Sequence, residues 1–325
     1  YLQAIEGAGV KGIIVADPLI IETCKKAAPS LEIHLSTQQS LSNWKAVKYW
    51  KDEGLERVVL AREVGGEEMR KMKEEVDIEI EAFVHGAMCI AYSGRCTLSN
   101  HMTARDSNRG GCCQSCRWDY DLYESNDGEE VALFNEGEAP FAMSPKDLKL
   151  IESIPHMIEL GIDSLKVEGR MKSIHYVATV VSVYRKVIDA YCADPENFKF
   201  EKEWLEELAR CANRATASSF FEGEPSYKQQ MFGFHSHKMK WDFAGFVMDY
   251  DAETQMVTLE QRNYFKPGDT VEFFGPNMET FKMTVGQIWD EDGNELDVAR
   301  HPLQIVKFKV DRSLSHFDMM RKENN

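Results

Sequence analysis

An apolar run, Gly12-Ile-Ile-Val-Ala-Asp17, is followed by a helical pattern that begins near Pro18 and by a second apolar run, Leu31-Glu-Ile-His-Leu35. Each run has the length of a strand, and proline is favoured in the first turn of a helix. The same alternation returns at intervals of roughly 20–25 residues, which predicts a parallel sheet covered by helices. Further strands are predicted at 55–60, 77–84, 141–143 and 164–167, with helices at 40–53, 67–75 and near 145–160.

Six strands can be counted in this way, whereas a closed (β/α)₈ barrel has eight. Because the chain opens with Tyr1 and not Met, we expect a (β/α) TIM-like barrel over residues 1–175 that is N-terminally incomplete and lacks its first two units. A cysteine-rich insertion is predicted at 86–120 within this domain. An open doubly wound sheet is the alternative, because the number of strands does not decide between the two.

The second half of the chain changes its periodicity. The pattern is helical from Ile174 to about Cys211, which predicts a helical extension over 176–235. From Gly245 onward apolar residues recur at every second position between turn signals, which is typical of strands. Such runs stand at 245–248, 256–259, 270–274, 281–285 and 305–310. A small all-β barrel is therefore predicted as a separate C-terminal domain over 236–325.

The composition indicates an acidic globular protein. Of 325 residues 43% are hydrophobic, and 54 acids against 38 bases give a net charge of −16. This charge argues against nucleic-acid binding by electrostatics alone, although residues 89–120 carry four arginines against two aspartates, a local net charge of +2. No stretch approaches the roughly 18 uninterrupted apolar residues of a membrane span. With no secretory leader in the sequence, we expect a cytoplasmic protein with no membrane partner.

Five of the eight cysteines are concentrated in one short segment. Their spacing is Cys89-x6-Cys96-x15-Cys112-x3-Cys116, with Cys113 as a neighbour. A secreted disulfide scaffold would spread its cysteines along the chain, whereas four thiolates close together can bind Zn²⁺ or an iron–sulfur cluster. Structural zinc sites usually have two tight pairs, and only Cys112 and Cys116 form one here. We therefore favour an iron–sulfur cluster, with zinc and ordinary unligated thiols as the alternatives.

Polar side chains end or follow several predicted strands, where barrels of this type carry their catalytic groups. Each has a structural explanation as well: His34 could be a satisfied core histidine, and Arg62 could pair with Glu63 on the surface. Taken together they predict a functional face whose guanidinium groups suit an anionic small molecule or a phosphate. The candidates are His34, Gln38, Arg62, Glu81, His85, Glu168 and Arg170.

One stretch resembles a known signature, that of peptidase family U32, the collagenase-like proteins. It reads Glu81-Ala-Phe-Val-His-Gly-Ala-Met-Cys89-Ile-Ala-Tyr-Ser-Gly-Arg-Cys96-Thr-Leu-Ser99. The segment Asn108-Arg-Gly-Gly-Cys112-Cys-Gln-Ser-Cys116-Arg-Trp118 resembles the second cysteine block of the family, and Leu35-Ser-Thr-Gln38 and Val167-Glu-Gly-Arg170 resemble further landmarks. The resemblance covers residues 1 to about 230, and the β-domain resembles the C-terminal domain of the family.

Within the family, a cysteine signature joined to a β-domain is most similar to the branch that hydroxylates tRNA. The resemblance implies a part in forming 5-hydroxyuridine at the tRNA wobble position. It implies prephenate, a dianion, as the hydroxyl source and leaves room for a second family member as a protein partner. It implies a [4Fe–4S] cluster bound by Cys89, Cys96, Cys112 and Cys116, with Cys113 competing with Cys112.

The family label implies a peptidase instead, and a scaffold that carries a cluster only to assemble partners is a third reading. No Ser/His/Asp or Cys/His nucleophile arrangement can be read from the sequence. The zinc-protease motif His-Glu-x-x-His does not occur in it. The sequence therefore favours the RNA-modifying function over the peptidase.

Overall fold

A computed structural model describes residues 1–118, 120, 123–126, 129–132, 144–231, 240–276 and 278–324. The chain divides into two compact units. Unit 1 comprises residues 1–171, 186–200 and 214–236, and unit 2 comprises residues 172–185, 201–213 and 237–325. The stretch predicted as a helical extension, 176–235, is therefore divided between the two units. Its α-helices end at Cys211, and a short 3-10 helix follows at Tyr227–Gln229.

Unit 1 is organised around one sheet that has seven strands among the described residues. The strands of unit 1 are β1 (Gly12–Val15), β2 (Glu32–Leu35), β3 (Arg57–Val59), β4 (Glu79–Gly86), β5 (Tyr123–Asn126), β6 (Glu129–Ala132), β7 (Ser144–Pro145), β8 (Asp147–Lys149), β9 (Ser164–Val167), β10 (Thr216–Ala217) and β11 (Gln230–Met231). Strands β1 to β4 are parallel neighbours in chain order, and β9 pairs with β4 in parallel. Outside this sheet, β5 pairs with β6 and β7 pairs with β11, both antiparallel.

The α-helices that lie wholly in unit 1 are α1 (Leu2–Gly7), α2 (Pro18–Ala27), α3 (Trp44–Asp52), α4 (Gly66–Glu75), α5 (Leu98–Thr103) and α6 (Ile154–Glu159). All of them except α1 have buried side chains. Helix α2 begins at the predicted proline because the Asp17 carboxylate accepts hydrogen bonds from the N–H groups of Leu19 and Ile20. No helix in the described part of the chain is long and apolar enough to cross a membrane.

The predicted alternation is confirmed except around residue 145. Here the structure has β7 and β8 where a helix was predicted, and α6 begins only at Ile154. Strand β8 pairs with β4 antiparallel and with β10 parallel, so the sheet is not wholly parallel. The Lys146 N–H donates to the Gln229 carbonyl at 2.9 Å, a long-range bond that a local pattern does not reveal. The strand predicted at 141–143 lies outside the described residues. The α/β class is confirmed, and closure into a barrel stays a prediction.

Unit 2 carries an antiparallel sheet of eight strands among the described residues, in the order β15-β14-β19-β12-β13-β18-β16-β17. Its elements are the start of α7 (Ile174–Ala193), α8 (Lys202–Cys211), β12 (Trp241–Asp251), β13 (Met256–Gln261), β14 (Thr270–Phe274), β15 (Phe281–Thr284), β16 (Ile288–Trp289), β17 (Glu295–Leu296), β18 (Ile305–Lys309) and β19 (Met319–Glu323). The five strands expected from the alternation are confirmed as β12, β13, β14, β15 and β18, and the barrel stays a prediction.

A charged residue lies in the interior of unit 2. Arg321 of β19 is fully buried, and its Nη1 donates to Glu207 at 2.6 Å while its Nε donates to Glu272 at 2.8 Å. The ring of His175, at the start of α7, stacks on Phe243 with 5.6 Å between centroids. Burial lowers the pKa of His175 to about 4, and the charge of Arg321 acts in the same direction. This histidine is therefore neutral in the folded protein at neutral pH.

Candidate functional site

The loop that carries Cys89 and Cys96, called here the first cysteine loop, starts after β4. It lies over the ends of β2 and β3. Gly94 has φ of +71°, and a Cβ there would collide with the backbone carbonyl of Gln38. The Arg62 N–H donates to Ser93 Oγ at 3.2 Å, and the Ser93 N–H donates to Glu63 Oε1 at 2.8 Å. The loop is therefore fixed to the carboxyl ends of two parallel strands.

The second part of the segment is tied to the backbone of Cys96. Asn108 Nδ2 and Ser107 Oγ donate to the Cys96 carbonyl at 3.1 and 2.8 Å. Gln38 Nε2 in turn donates to the Asn108 carbonyl. Gln38, a predicted site residue, is thus placed to position the peptide around Cys96.

Four thiols of the segment share one site. Burial raises the pKa of Cys89, the charges of Cys96 and Cys112 raise it further, and Arg62 opposes them. Burial also raises the pKa of Cys116 to about 11, with Cys89 the strongest of the thiols acting on it. Each of these cysteines is free. Ionising Cys89 and Cys116 is therefore unfavourable unless a cationic group lies close to them.

The neighbouring cysteines 112 and 113 have different surroundings. The thiol of Cys113 lies 3.1 Å from Ser99 Oγ and 3.4 Å from Thr103 Oγ1, and these hydrogen bonds lower the pKa of Cys113 to about 7. Cys112 acts electrostatically on Cys89 and Cys116, and its sulfur accepts the Gln114 N–H at 3.4 Å. Cys112 is therefore the one of the pair whose charge acts on Cys89 and Cys116.

The four thiols are not drawn together around one point. Within the described residues, no three or more His, Cys, Asp or Glu side chains are arranged to hold one metal ion. A tetrahedral zinc site would bring four donors to about 2.0–2.3 Å from one point. Zinc stays the alternative to the predicted iron–sulfur cluster.

Arg62 places a buried positive charge beside the thiols. Its side chain is 15% exposed, its guanidinium carbon lies 3.8 Å from the centroid of the Phe83 ring, and its Nη2 lies 3.8 Å from Glu168 Oε2. Its interactions with Cys89 and Cys112 oppose the burial that lowers the pKa of Arg62. The buried Nε has no hydrogen-bond partner among the residues that the structure describes. A donor of this kind suits an anionic ligand.

Three of the predicted residues, His85, Glu168 and Arg170, take part in hydrogen bonds to backbone carbonyl groups in this region. The Glu168 N–H donates to the carbonyl of the buried His85 at 2.8 Å. Arg170 is exposed, and its Nη1 donates to the Gly110 carbonyl at 3.2 Å. The structure therefore links Arg170 to the segment that precedes Cys112, whereas Arg62 contributes the buried guanidinium.

The remaining predicted residues, His34 and Glu81, belong to a different polar group on the sheet. Glu81 accepts hydrogen bonds from Lys166 at 2.6 Å and Ser164 at 2.9 Å, and His34 Nε2 lies 3.2 Å from Glu32. Burial opposes ionisation of Glu81, but Lys166 holds the pKa of that carboxyl below its usual range. Neither side chain contacts the thiols among the described interactions, and their predicted catalytic roles stay predictions.

Sequence reasoning missed the ion pairs that hold the end of the cysteine segment. Asp147 is 3% exposed and accepts from Arg117 Nη2 at 2.8 Å, and Arg214 Nε lies 3.5 Å from the same carboxylate. Arg117 directly follows Cys116, so these pairs fix the last cysteine turn to β8. The position of Arg117 next to Cys116 indicated that its side chain could matter for the site. Its partner Asp147 could not be predicted, because it is distant in the sequence.

A cavity of about 250 Å³ lies beside this site, and sequence reasoning missed it as well. It is bounded by the first cysteine loop, by the ladder of β7 and β11, and by the turn around Phe220. The segment that includes Phe220 and Gln230 carries no motif, and only the tertiary pairing of β11 with Pro145 brings it to the site.

Two protein-family models match the two main parts of this chain. Residues 1–231 match the model of peptidase family U32, and residues 239–321 match the model of the peptidase family U32 C-terminal domain. The chain therefore belongs to peptidase family U32, and the resemblance predicted from the cysteine signature is confirmed.

Relatives of this chain differ in the activity for which they are named. The chain is 74% identical to tRNA hydroxylation protein P1 of Bacillus subtilis, over 99% of this chain and 76% of that protein. It is 33% identical to a collagenase of Porphyromonas gingivalis, over 69% of this chain and 55% of that protein. It is 36% identical to the 23S rRNA 5-hydroxycytidine C2501 synthase of Escherichia coli, over 56% of this chain and 26% of that protein. The predicted similarity to the tRNA hydroxylation branch is confirmed.

Proposed function

We propose that this chain is an iron–sulfur protein that takes part in prephenate-dependent hydroxylation of the wobble uridine of tRNA. A relative that is 74% identical is named for tRNA hydroxylation, and another is named for synthesis of 5-hydroxycytidine in rRNA. Hydroxylation of a pyrimidine base in RNA is the chemistry that connects these two names.

The observation that carries the proposal is the position of the buried Arg62, shortly after β3, where its charge acts on Cys89 and Cys112. Four free thiols that act on one another suit the four-cysteine ligation of an iron–sulfur cluster. Cys89, Cys96, Cys112 and Cys116 would hold it. When bound, a cluster held by four thiolates would supply electrons.

Arg62 would bind and orient the anionic hydroxyl donor. The Phe83 ring holds the guanidinium plane, and Glu168 lies close to one of its ends. A guanidinium can make two parallel hydrogen bonds to a carboxylate, which an ammonium group cannot reproduce. Burial of Arg62 also reduces competition from water for its carboxylate partner.

The test is the nucleoside content of tRNA from a strain that lacks its own protein of this branch. We expect the chain to restore 5-hydroxyuridine-derived nucleosides in mass spectrometry. Arg62→Lys should raise the prephenate concentration needed by the purified protein roughly 10–100-fold, because a charged hydrogen bond contributes about 1.5–3 kcal/mol. Arg70→Lys, on the exposed face of α4, is the matched control.

Iron and sulfide analysis of anaerobically purified Arg62→Lys shows whether the cluster is retained, which separates loss of donor binding from loss of the cluster. Unchanged wobble nucleosides, together with peptide cleavage by the purified chain, would replace this proposal with the peptidase function that the collagenase relative suggests.

A further inference from the structure

We infer that the cavity beside Cys89 receives the target pyrimidine base of the RNA, turned out of its stack. This inference rests on the proposed function and adds a binding site for the base. The cavity has a volume of about 250 Å³, and the lining residues that matter here are Glu63, Cys89, Tyr92, Phe220, Gln229 and Gln230.

The size and charge of the cavity select the kind of ligand. Pockets for drug-sized ligands have volumes of about 300–1,000 Å³, so this smaller cavity suits a single ring. No lysine or arginine is found among the described residues that line it. A phosphate or a dianion would lack a counter-charge there, whereas a neutral base would not. The cavity is therefore chemically distinct from the surroundings of Arg62.

The polar groups of the cavity suit the edge of uracil, which presents two carbonyl oxygens and one N–H. Gln229 and Gln230 supply amide groups, and Glu63 supplies a carboxylate. Gln229 Oε1 accepts from the Ser226 N–H at 2.8 Å, which fixes this amide and leaves its NH₂ group as the donor. Gln230 lies opposite Pro145 in the ladder of β7 and β11, so this wall is held by backbone pairing.

Aromatic side chains supply surfaces on which a base can stack. Tyr92 is 72% exposed, and Phe220 lies on the opposing turn. That turn packs closely on the start of α4, because a Cβ at Gly65 would lie only 3.1 Å from the Phe220 carbonyl. An exposed tyrosine ring that lines a cavity offers a face on which a nucleobase can stack.

The position of the cavity connects binding to chemistry. Cys89 forms part of its wall and belongs to the group of four thiols. Enzymes that modify a base must take it out of the stack, and a base in a loop is the easiest to turn out. A pyrimidine in this cavity would therefore lie next to the group that the thiols hold.

The test is the binding of two anticodon stem-loops, one with uridine at the wobble position and one with an abasic site there. Tyr92→Ala should weaken binding of the uridine hairpin roughly tenfold, because stacking on an aromatic ring contributes about 1–3 kcal/mol per base. The same substitution should leave binding of the abasic hairpin unchanged. Tyr92→Phe keeps the ring and should bind both hairpins as the parent does. Tyr49→Ala on α3, another exposed tyrosine, is the control.

A second variant tests the polar wall. Gln230→Leu keeps much of the side-chain volume and removes the amide. It should reduce the preference for the uridine hairpin over a hairpin with cytidine at the same position, whereas Gln3→Leu on α1 should not. Iron content and melting temperature, measured on each variant, show that the thiol site and the fold are retained.

Equal loss of affinity for both hairpins in Tyr92→Ala, or no loss for either, would overturn the inference. If the parent hydroxylates tRNA but binds the two hairpins equally, the cavity assignment fails and the proposed function stands. If neither hydroxylation nor hairpin binding is found, the proposed function itself fails.

Discussion

At the scale of single residues, two adjacent thiols have opposite environments. Cys112 lies with the other three thiols, and Cys113 is held by two hydroxyl groups of the α5 region. A peptide bond between them is enough to direct one sulfur into the site and the other away from it. The consequence is that one cysteine of this pair should be dispensable for metal binding.

We expect Cys112→Ser to lose most of the bound iron and sulfide and Cys113→Ser to retain both. The reason is that only Cys112 is grouped with Cys89, Cys96 and Cys116. Iron and sulfide per chain, with the visible charge-transfer absorption of anaerobic protein, measure the difference. Cys211→Ser, a buried thiol of unit 2, should keep the cluster as well. Equal iron in both variants of the pair would contradict the assignment.

The sequence identified the cysteine segment and several polar residues, but it did not rank them. The spacing of the cysteines does not distinguish Cys112 from Cys113 as a ligand. The position of Arg62 and Arg170 after predicted strands does not show which of the two is buried in the site. Burial separates the two arginines, since Arg62 is stacked inside the site and Arg170 is exposed. Burial depends on the whole fold and is therefore not visible in a local pattern.

At the scale of secondary-structure elements, the first cysteine loop depends on close contact with the turn after β2. We expect Gly94→Ala to lower iron content severely, because a Cβ there would displace the loop from Gln38. Gly54→Ala is the matched control, since Gly54 also has a left-handed φ of +81° but has open space around it. Both variants carry the backbone strain of about 1–2 kcal/mol, so iron content isolates the collision. A similar loss of iron in both would attribute the effect to strain.

Helix α7 makes the stability of unit 2 sensitive to acid through His175. The pKa of this histidine is about 4 in the fold, against an ordinary value of 6.5, because burial and Arg321 disfavour its charged form. Between these pH values the unfolded chain binds a proton that the folded chain does not. The neutral His175 side chain therefore makes its full contribution to the free energy of unfolding above about pH 6.5. As the pH falls towards 4 this contribution is lost, and the free energy of unfolding decreases by up to about 3 kcal/mol.

The measurement is the urea midpoint of unfolding as a function of pH. We expect the midpoint of His175→Phe to fall less than that of the parent between pH 6.5 and 4. His301→Phe, at an exposed histidine of the same unit, should follow the parent. Parallel curves for His175→Phe and the parent would show that the ring does not titrate as the structure indicates.

Elements with regular alternation were predictable, and those with charged interiors were not. The strands β13, β14 and β18 follow period two and were predicted from it. Strand β19 was missed, because its central residue is Arg321, which a pattern assigns to the surface. Its burial depends on Glu207 and Glu272, both distant in the sequence. Long-range pairing of this kind also explains the missed strands β7 and β8.

At the scale of the whole molecule, charge is segregated. The chain carries −16, yet the cysteine segment has a positive local balance. Arg105 is exposed there and makes no ion pair among the described residues, whereas Arg109 lies 3.4 Å from Asp106. An exposed guanidinium without a partner is suited to contact a phosphate. A negatively charged protein can therefore still bind RNA at this segment.

We expect Arg105→Ala to weaken binding of tRNA in low salt and to make the salt dependence shallower, by about 0.7–0.9 in the slope of log K against log salt. The effect should be the same for uridine and abasic hairpins, because a phosphate contact does not read the base. Arg70→Ala on α4 is the control. An unchanged slope would show that Arg105 does not face the RNA backbone.

The ion pairs of Asp147 have a consequence for the order of events during synthesis on the ribosome. The turn that carries Cys116 is held through Arg117 to Asp147, and Asp147 is paired with Arg214. Translation at about 5–20 residues per second means that Arg214 emerges roughly 5–20 seconds after Cys116. The turn that carries Cys116 can therefore reach its final, fully paired position only late in translation.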